Sequence, residues 1–267
     1  MKKYLSFFRL RVAIGLQYRV AAIAGISTQF FWGFMLIGAY CAFYESNPDA
    51  FPMTLQATVT YIWLQQAFHA FFNTYGFDSD IFGLITSGGI SYELARPVSL
   101  YRMWYAKNLA LRVSQAALRF APVLILACIL PKPYGLSLPA SFPHFVLFLV
   151  TMVTALLLTL AFLMLIYGLS MLTVSPTGIR LFFSAVAEFL TGAVIPLPFF
   201  PDKVRKVIEL LPFAGMQNVP LRIYSGDLSG APMLRAIFLQ VFWLLAFIAL
   251  GKLLFSYTER RAVVQGG

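Results

Sequence analysis

Apolar stretches long enough to cross a bilayer recur along almost the whole chain, and they decide what it can fold into. A hydrocarbon layer about 30 Å thick is crossed by roughly 20 apolar residues in a helix, which satisfies its own backbone donors and acceptors. About six such runs follow one another between residues 20 and 257. Of 267 residues, 60% are hydrophobic and 11% charged, with mean hydropathy +0.79. Too little remains between the runs for a soluble catalytic domain of ordinary size. The expectation is an all-α membrane protein with six transmembrane helices forming one domain, residues 20–257.

Residues 2–19 carry a helical period of their own. Lys2, Ser6, Arg9, Ala13 and Gln17 share one face, and Leu5, Phe8, Val12 and Leu16 oppose them. Arg11 interrupts the apolar stripe. Such a segment reads as an N-terminal amphipathic helix lying in the membrane interface. Lys2 and Lys3 imitate the start of a signal peptide. Arg9, Arg11 and Arg19 break the apolar part that would follow, and no clean small-residue cleavage pattern comes after it, so no cleaved leader is expected.

The runs cover residues 20–43 and 55–77, then a third ending near 130, then 144–172, a fifth from about 178 that breaks at Gly192, and 233–257. The start of the third is ambiguous because Lys107, Arg112 and Arg119 enter the apolar pattern. With the N-terminus inside, 14 of the 20 Lys+Arg fall on the inner side and 6 on the outer. The positive-inside rule therefore puts both termini in the cytoplasm, with residues 258–267 as a tail. The net charge of +10 is accounted for by topology and anionic lipid, and nucleic acid is not expected as a partner. Cys41 and Cys128 make no metal motif. They read as small buried hydrophobes, with a disulfide left open because both fall near the outer face.

Two segments between runs are unusual. Residues 78–100 are polar and glycine-bearing. Asp78 or Asp80 can cap a short helix over residues 81–85, Thr86-Ser-Gly-Gly stops it, and a further turn precedes Pro97. Glu93 and Arg96 are spaced to pair. Residues 192–226 are too apolar for a solvated loop and too broken by Pro196, Pro198, Pro201 and Pro212 for one spanning helix. They read as re-entrant or interfacial helices at the outer surface between the fifth and sixth spans. Asp202 is placed to cap a helix from Lys203, on which Val204, Val207, Ile208 and Leu211 share a face.

These features together resemble the ABC-2 type permeases, the membrane subunits of one class of ATP-binding-cassette exporters. The resemblance rests on the six-span layout with its leading helix and on Tyr92-Glu93-Leu94-Ala95-Arg96-Pro97-Val98-Ser99. It rests also on Ile195-Pro196-Leu197, Phe200-Pro201, Leu211-Pro212-Phe213, Pro220, Tyr224 and Gly226 before the last span. It implies a dimer with a second permease, the same or a homologous chain, driven by two copies of an ATPase subunit in a bacterial cell membrane. It implies that residues 78–100 couple to that ATPase, with Asp78, Asp80, Ile81, Phe82, Glu93 and Arg96 as coupling residues. Pro196, Phe200, Pro201, Pro212 and Phe213 are implied as an outer gate. The cargo implied is amphiphilic, lipid-like or drug-like.

No P-loop pattern, G-x-x-x-x-G-K-[ST], occurs in the chain. Hydrolysis and the bound ATP and Mg therefore belong to the partner. No catalytic, cofactor or metal residue is assigned here. Within the spans, Gln65, His69 and Asn73 recur every four residues and fall on one helix face. His69 and Glu188 each lie eight residues from an inner end, about 12 Å deep. A charge at mid-span costs roughly 2.5–3.5 kcal/mol on insertion scales. Gln65, His69, Asn73 and Glu188 are therefore candidates either for lining a transport path or for mutual satisfaction, with Glu188 paired to Arg112 or Arg119. The rival readings are a proton-coupled secondary transporter using His69 and Glu188, and a non-transporting membrane scaffold.

Overall fold

The computed structural model describes residues 2–173 and 176–261, and every regular element among them is helical. The helices are α1 (Lys2–Gly15), α2 (Arg19–Ser46), α3 (Leu55–Ala67), α4 (His69–Phe72), α5 (Ser79–Thr86), α6 (Ile90–Leu94) and α7 (Leu100–Ile129). They continue as α8 (Phe142–Ser170), α9 (Pro176–Leu190), α10 (Asp202–Ile208), α11 (Pro212–Met216), α12 (Asn218–Ser225) and α13 (Gly230–Arg261). Of the tail assigned to residues 258–267, the part to Arg261 continues α13, and 262–267 lie outside the described residues.

Four helices, α2, α7, α8 and α13, are long and apolar enough to cross a membrane. The second and fifth apolar runs give shorter helices. The second breaks at Phe68, where φ −105° and ψ 19° separate α3 from α4. The fifth is α9, whose 15 residues rise only about 22 Å. The two short segments pair antiparallel. The Ser184 hydroxyl donates to the Thr74 carbonyl at 2.9 Å, and Gln65 Nε2 donates to the Ala193 carbonyl at 2.8 Å. Each run was apolar enough to suggest a full span; hydropathy does not register a helix break.

Helix α7 starts at Leu100, with the Ser99 hydroxyl as its cap, so Lys107, Arg112 and Arg119 all lie within it. The most enclosed helix is α8. Leu158, Leu160, Ala161, Leu163, Met164 and Tyr167 have no accessible surface. Among apolar helices in lipid, close packing rather than water exclusion holds the bundle together. Gly168 shows this: a Cβ there would meet Leu254 Cδ2 at 2.6 Å, so α13 approaches the α8 backbone directly. At the same end Trp104, Tyr167 and Phe255 stack edge to face, with centroids 5.7–5.8 Å apart for Trp104 with each neighbour.

Helix α1 runs parallel to the first half of α7. Lys3 Nζ donates to the Pro97 carbonyl at 2.9 Å, the Ser99 N–H donates to Tyr4 Oη at 3.2 Å, and Gly15 abuts Ser114. The face turned inward carries Tyr4, Phe8, Arg11, Val12 and Gly15, while Leu5 and Leu16 are exposed. The expected Leu5–Leu16 stripe is therefore rotated, and Arg11 belongs to the protein-facing side. Cys41 and Cys128 are both free thiols, and neither is buried as expected: Cys41 is half-buried and Cys128 exposed, on the outward side of α7.

Candidate functional site

The segment between α4 and α7 is fastened to three helices. The Asp78 Oδ1 accepts the N–H groups of Asp80 and Ile81, each at 3.0 Å, which caps α5 as the sequence suggested. Lys107 reaches the same oxygen from α7, with Nζ 2.7 Å from Asp78 Oδ1 and 2.9 Å from Asp80 Oδ2. The Asp78 N–H donates to Tyr167 Oη of α8 at 2.8 Å, and that hydroxyl donates to Asn108 Oδ1 at 3.2 Å. Ile81 and Phe82 are 1% and 6% exposed, in one core with Leu100, Tyr101 and Trp104. Arg180 of α9 lies 4.6 Å over the Phe82 ring. Any displacement of α5 is thereby shared with α7, α8 and α9. The Lys107 ammonium, by hydrogen bond and charge, with a smaller contribution from Arg11, holds the Asp80 carboxyl below its ordinary value.

The coupling candidates fall into two groups. Asp78, Ile81 and Phe82 are buried. Asp80 and Arg96 are exposed, and Glu93, half-buried, pairs with Arg96 at 2.9 Å. Gly88, at φ 72°, turns the chain between α5 and α6. The largest free apolar surface on the loop is Tyr92, 80% exposed. The sequence assigns no coupling role to Lys107, Tyr167 or Tyr92. The signal for Lys107 was present, as a basic residue inside an apolar run with two aspartates upstream.

The intramembrane candidates do not form one cluster. The Phe68 break puts Gln65 on α3 and His69 on α4, and Asn73 caps the end of α4, so the three share no continuous helix face. Gln65 holds the Ala193 carbonyl, and Asn73 Oδ1 accepts the Tyr75 N–H at 2.8 Å. Glu188 accepts from the Thr74 hydroxyl at 2.9 Å. Its expected pairing with Arg112 or Arg119 is not formed. Arg112, 2% exposed, spends its guanidinium on backbone: Nη1 meets the Ala70 and Phe71 carbonyls at 2.7 and 3.2 Å, and Nη2 meets those of Asn73 and Gly76. These are carbonyls released where α4 ends, so one buried cation satisfies acceptors that apolar surroundings would leave orphaned.

The segment from Gly192 to Gly226 is held in the same way. Gly192, at φ 84°, lets the chain reverse after α9. Its carbonyl accepts from Tyr61 Oη at 3.1 Å and Gln217 Nε2 at 3.2 Å. Helices α11 and α12 are buried almost throughout, and Gln240 Nε2 of α13 donates to the Gly215 carbonyl at 2.8 Å. Of the gate candidates, Pro196 precedes the 3₁₀ turn Leu197–Phe199 and Pro212 opens α11. Pro201 occupies the cap position of α10. Phe200 packs on Phe189 at 5.3 Å and Phe213 on Phe162 at 5.6 Å. Asp202 does not cap α10 but pairs with Arg205 at 2.7 Å. The apolar face of α10 is divided, with Ile208 buried while Val204 and Val207 are exposed. Neighbouring elements, not the helix's own period, decide which side turns inward.

No curated protein matches the chain. The family model described as ABC-2 family transporter protein matches residues 22–266. That span takes in the clamped loop, both short paired segments and the four long helices from Ala22 of α2 onward, and on it the chain belongs to the ABC-2 transporter family.

Proposed function

We propose that the chain is the transmembrane permease subunit of an ABC-2 exporter. It moves an amphiphilic, lipid-like or drug-like substrate with energy from ATP hydrolysed by a separate ATPase subunit. Members of this family are membrane components of transport, generally without catalysis of their own, and typically partner with ATPase subunits. The observation that carries the reading is the clamp of residues 78–82 on Lys107 and Tyr167. A loop joined in this way turns a push at its exposed edge into movement of α7 and α8, which is what a permease driven from outside requires. In this reading α3–α4 and α9 complete six spans with the four long helices, α1 lies at the inner interface, and both termini are cytoplasmic. The exposed apolar residues of α13, Leu234, Phe238, Leu245 and Leu253 among them, face lipid or a second permease subunit. The amphiphilic cargo is an inference by family analogy together with the aromatic interior.

The test is reconstitution. The chain should co-purify with a P-loop ATPase and move cargo only with that subunit and ATP. Tyr92→Cys, in a background with Cys41 and Cys128 replaced by Ala, should crosslink to the ATPase through a thiol reagent. Nucleotide turnover by the purified chain alone, or full transport on a pH gradient without a second protein, would overturn the proposal.

A further inference from the structure

Two basic residues that disrupt sequence patterns, Arg11 on α1 and Arg119 on α7, converge on one cavity. It has a volume of about 460 Å³ and lies between the α1–α2 elbow, α7 and the start of α5. That is within the range of about 300–1,000 Å³ typical of small-molecule sites. Its lining brings together the charged side chains of Arg11, Lys107, Arg119, Asp78 and Asp80 and the apolar side chains of Ile14 and Leu118. Lys107 is already committed to the two aspartates. Arg119 is not committed. Among the described residues its one hydrogen bond, Nη2 to the Ala21 carbonyl, is long at 3.4 Å, and its Nε is enclosed without a partner. It pairs with no carboxylate among the described residues. The guanidinium lies against α2 where Gly25 leaves room, since a Cβ there would sit 2.5 Å from Arg119 Cζ.

An arginine inside an apolar run with so little satisfaction calls for an anion. Three cations stand against two carboxylates in the lining, which leaves one positive charge. Close in sequence to two of its lining residues, Ile14 and Tyr18, the apolar side chains of Leu10 and Val20 are exposed. We propose that this cavity binds the singly charged phosphate headgroup of an anionic amphiphile, with Arg119 and Arg11 on the phosphate and the chains leaving along Ile14 and Leu118. The site is independent of the cargo and of the direction of transport. It ties occupancy at the membrane side to the helix that carries Lys107, twelve residues before Arg119.

The test uses the full chain in detergent micelles, titrated with short-chain phosphatidylglycerol, short-chain phosphatidylcholine or glycerol phosphate, with retained ligand read by native mass spectrometry and unfolding by intrinsic fluorescence. Phosphatidylglycerol should be retained and should raise the unfolding midpoint, and the zwitterionic lipid should do so far less. Arg119→Gln should weaken retention about tenfold or more, which is what one charge-assisted hydrogen bond is worth. Arg11→Gln, on the surface helix, should weaken it in the same direction, while Lys203→Gln on α10 should leave it unchanged. Binding of glycerol phosphate as tight as that of the lipid would identify the ligand as a soluble phosphate. Equal retention of phosphatidylcholine, or unchanged retention in both arginine variants, would overturn the site.

Discussion

Replacing Lys107 by Met removes the cation that Asp78 and Asp80 share and keeps most of the volume. Asp78 is the costly partner, since its side chain is 11% exposed, whereas that of Asp80 is 69% exposed. Breaking a buried pair from one side costs about 3–5 kcal/mol, because a charge is left uncompensated. Asp78 Oδ1 keeps the two backbone N–H groups of α5, which places Lys107→Met near the lower end, at about 3 kcal/mol. Asp80→Asn alone should cost no more than about 1 kcal/mol, the scale of an exposed pair. Asp78→Asn in the Lys107→Met background removes the stranded charge and should recover about 1–2 kcal/mol, the coupling expected of residues in contact. The assay is denaturant unfolding in micelles for wild type, the single variants Lys107→Met, Asp78→Asn and Asp80→Asn, and the double variant, alongside ATP-driven transport with the ATPase present. Lys107→Met should lower transport more than it lowers ATP hydrolysis, since the loop is still engaged but no longer moves α7 with it. If the double variant were as unstable as the sum of the singles, or Asp80→Asn as damaging as Lys107→Met, the account of a buried clamp would be refuted.

Three further outcomes follow from the same geometry. Asp80 titrates below its ordinary value in the folded chain, so its contribution is complete above the unfolded-state value and is lost as pH falls through the depressed folded one; unfolding midpoints of wild type and Asp80→Asn, separated at pH 7, should converge in acid. Gly226→Ala should cost about 1–2 kcal/mol from φ 77° alone, with more from a Cβ placed 2.7 Å from that of Ala140; Gly38→Ala, in helix α2 with open space around it, should be neutral or slightly stabilising in the same unfolding assay. Arg112→Lys should lose about 2 kcal/mol despite keeping the charge, because an ammonium lacks the planar fork that reaches four carbonyls; an unchanged midpoint would show that those carbonyls need no cation.

Helical class, membrane location and the four long helices were legible in the sequence because each rests on composition over many residues. Short local signals were legible too: Asp78 caps α5, and Glu93 reaches Arg96, as their spacing requires. Features that depend on a distant partner were not legible. Periodicity joined Gln65, His69 and Asn73 into one face because nothing in the residues around Phe68 announces a break; the end of α4 that takes Asn73 out of the helix is held by Arg112, some 40 positions away. The same holds for Glu188, where charge suggested an arginine but the register of α9 against α4 brings Thr74 instead. On α10, Asp202 was well placed to cap in isolation, yet the cap position falls on Pro201.

A common physical rule connects these misreadings. Polar side chains within the apolar runs were weighed against one another, as charges seeking charges. In the folded chain several are consumed by backbone. Arg112 serves the carbonyls at the end of α4, Gln65 that of Ala193, Tyr61 and Gln217 that of Gly192, and Gln240 those of Thr151 and Gly215. A broken helix in an apolar setting releases acceptors that lipid cannot satisfy, and at the ends of α4 and α9 polar side chains from elsewhere in the chain meet them. An intramembrane polar residue is then as much a marker of a nearby helix end as of a transport path. The breaks themselves are where two packings of the chain can differ at small cost, because their hydrogen bonds are made by side chains that can exchange one carbonyl for another. Under the proposed function, a push delivered at α5 is passed to Arg112 through Lys107, five residues earlier on the same helix. On that reading the α4 terminus is where the push first meets backbone carbonyls held by a side chain rather than by helix hydrogen bonds.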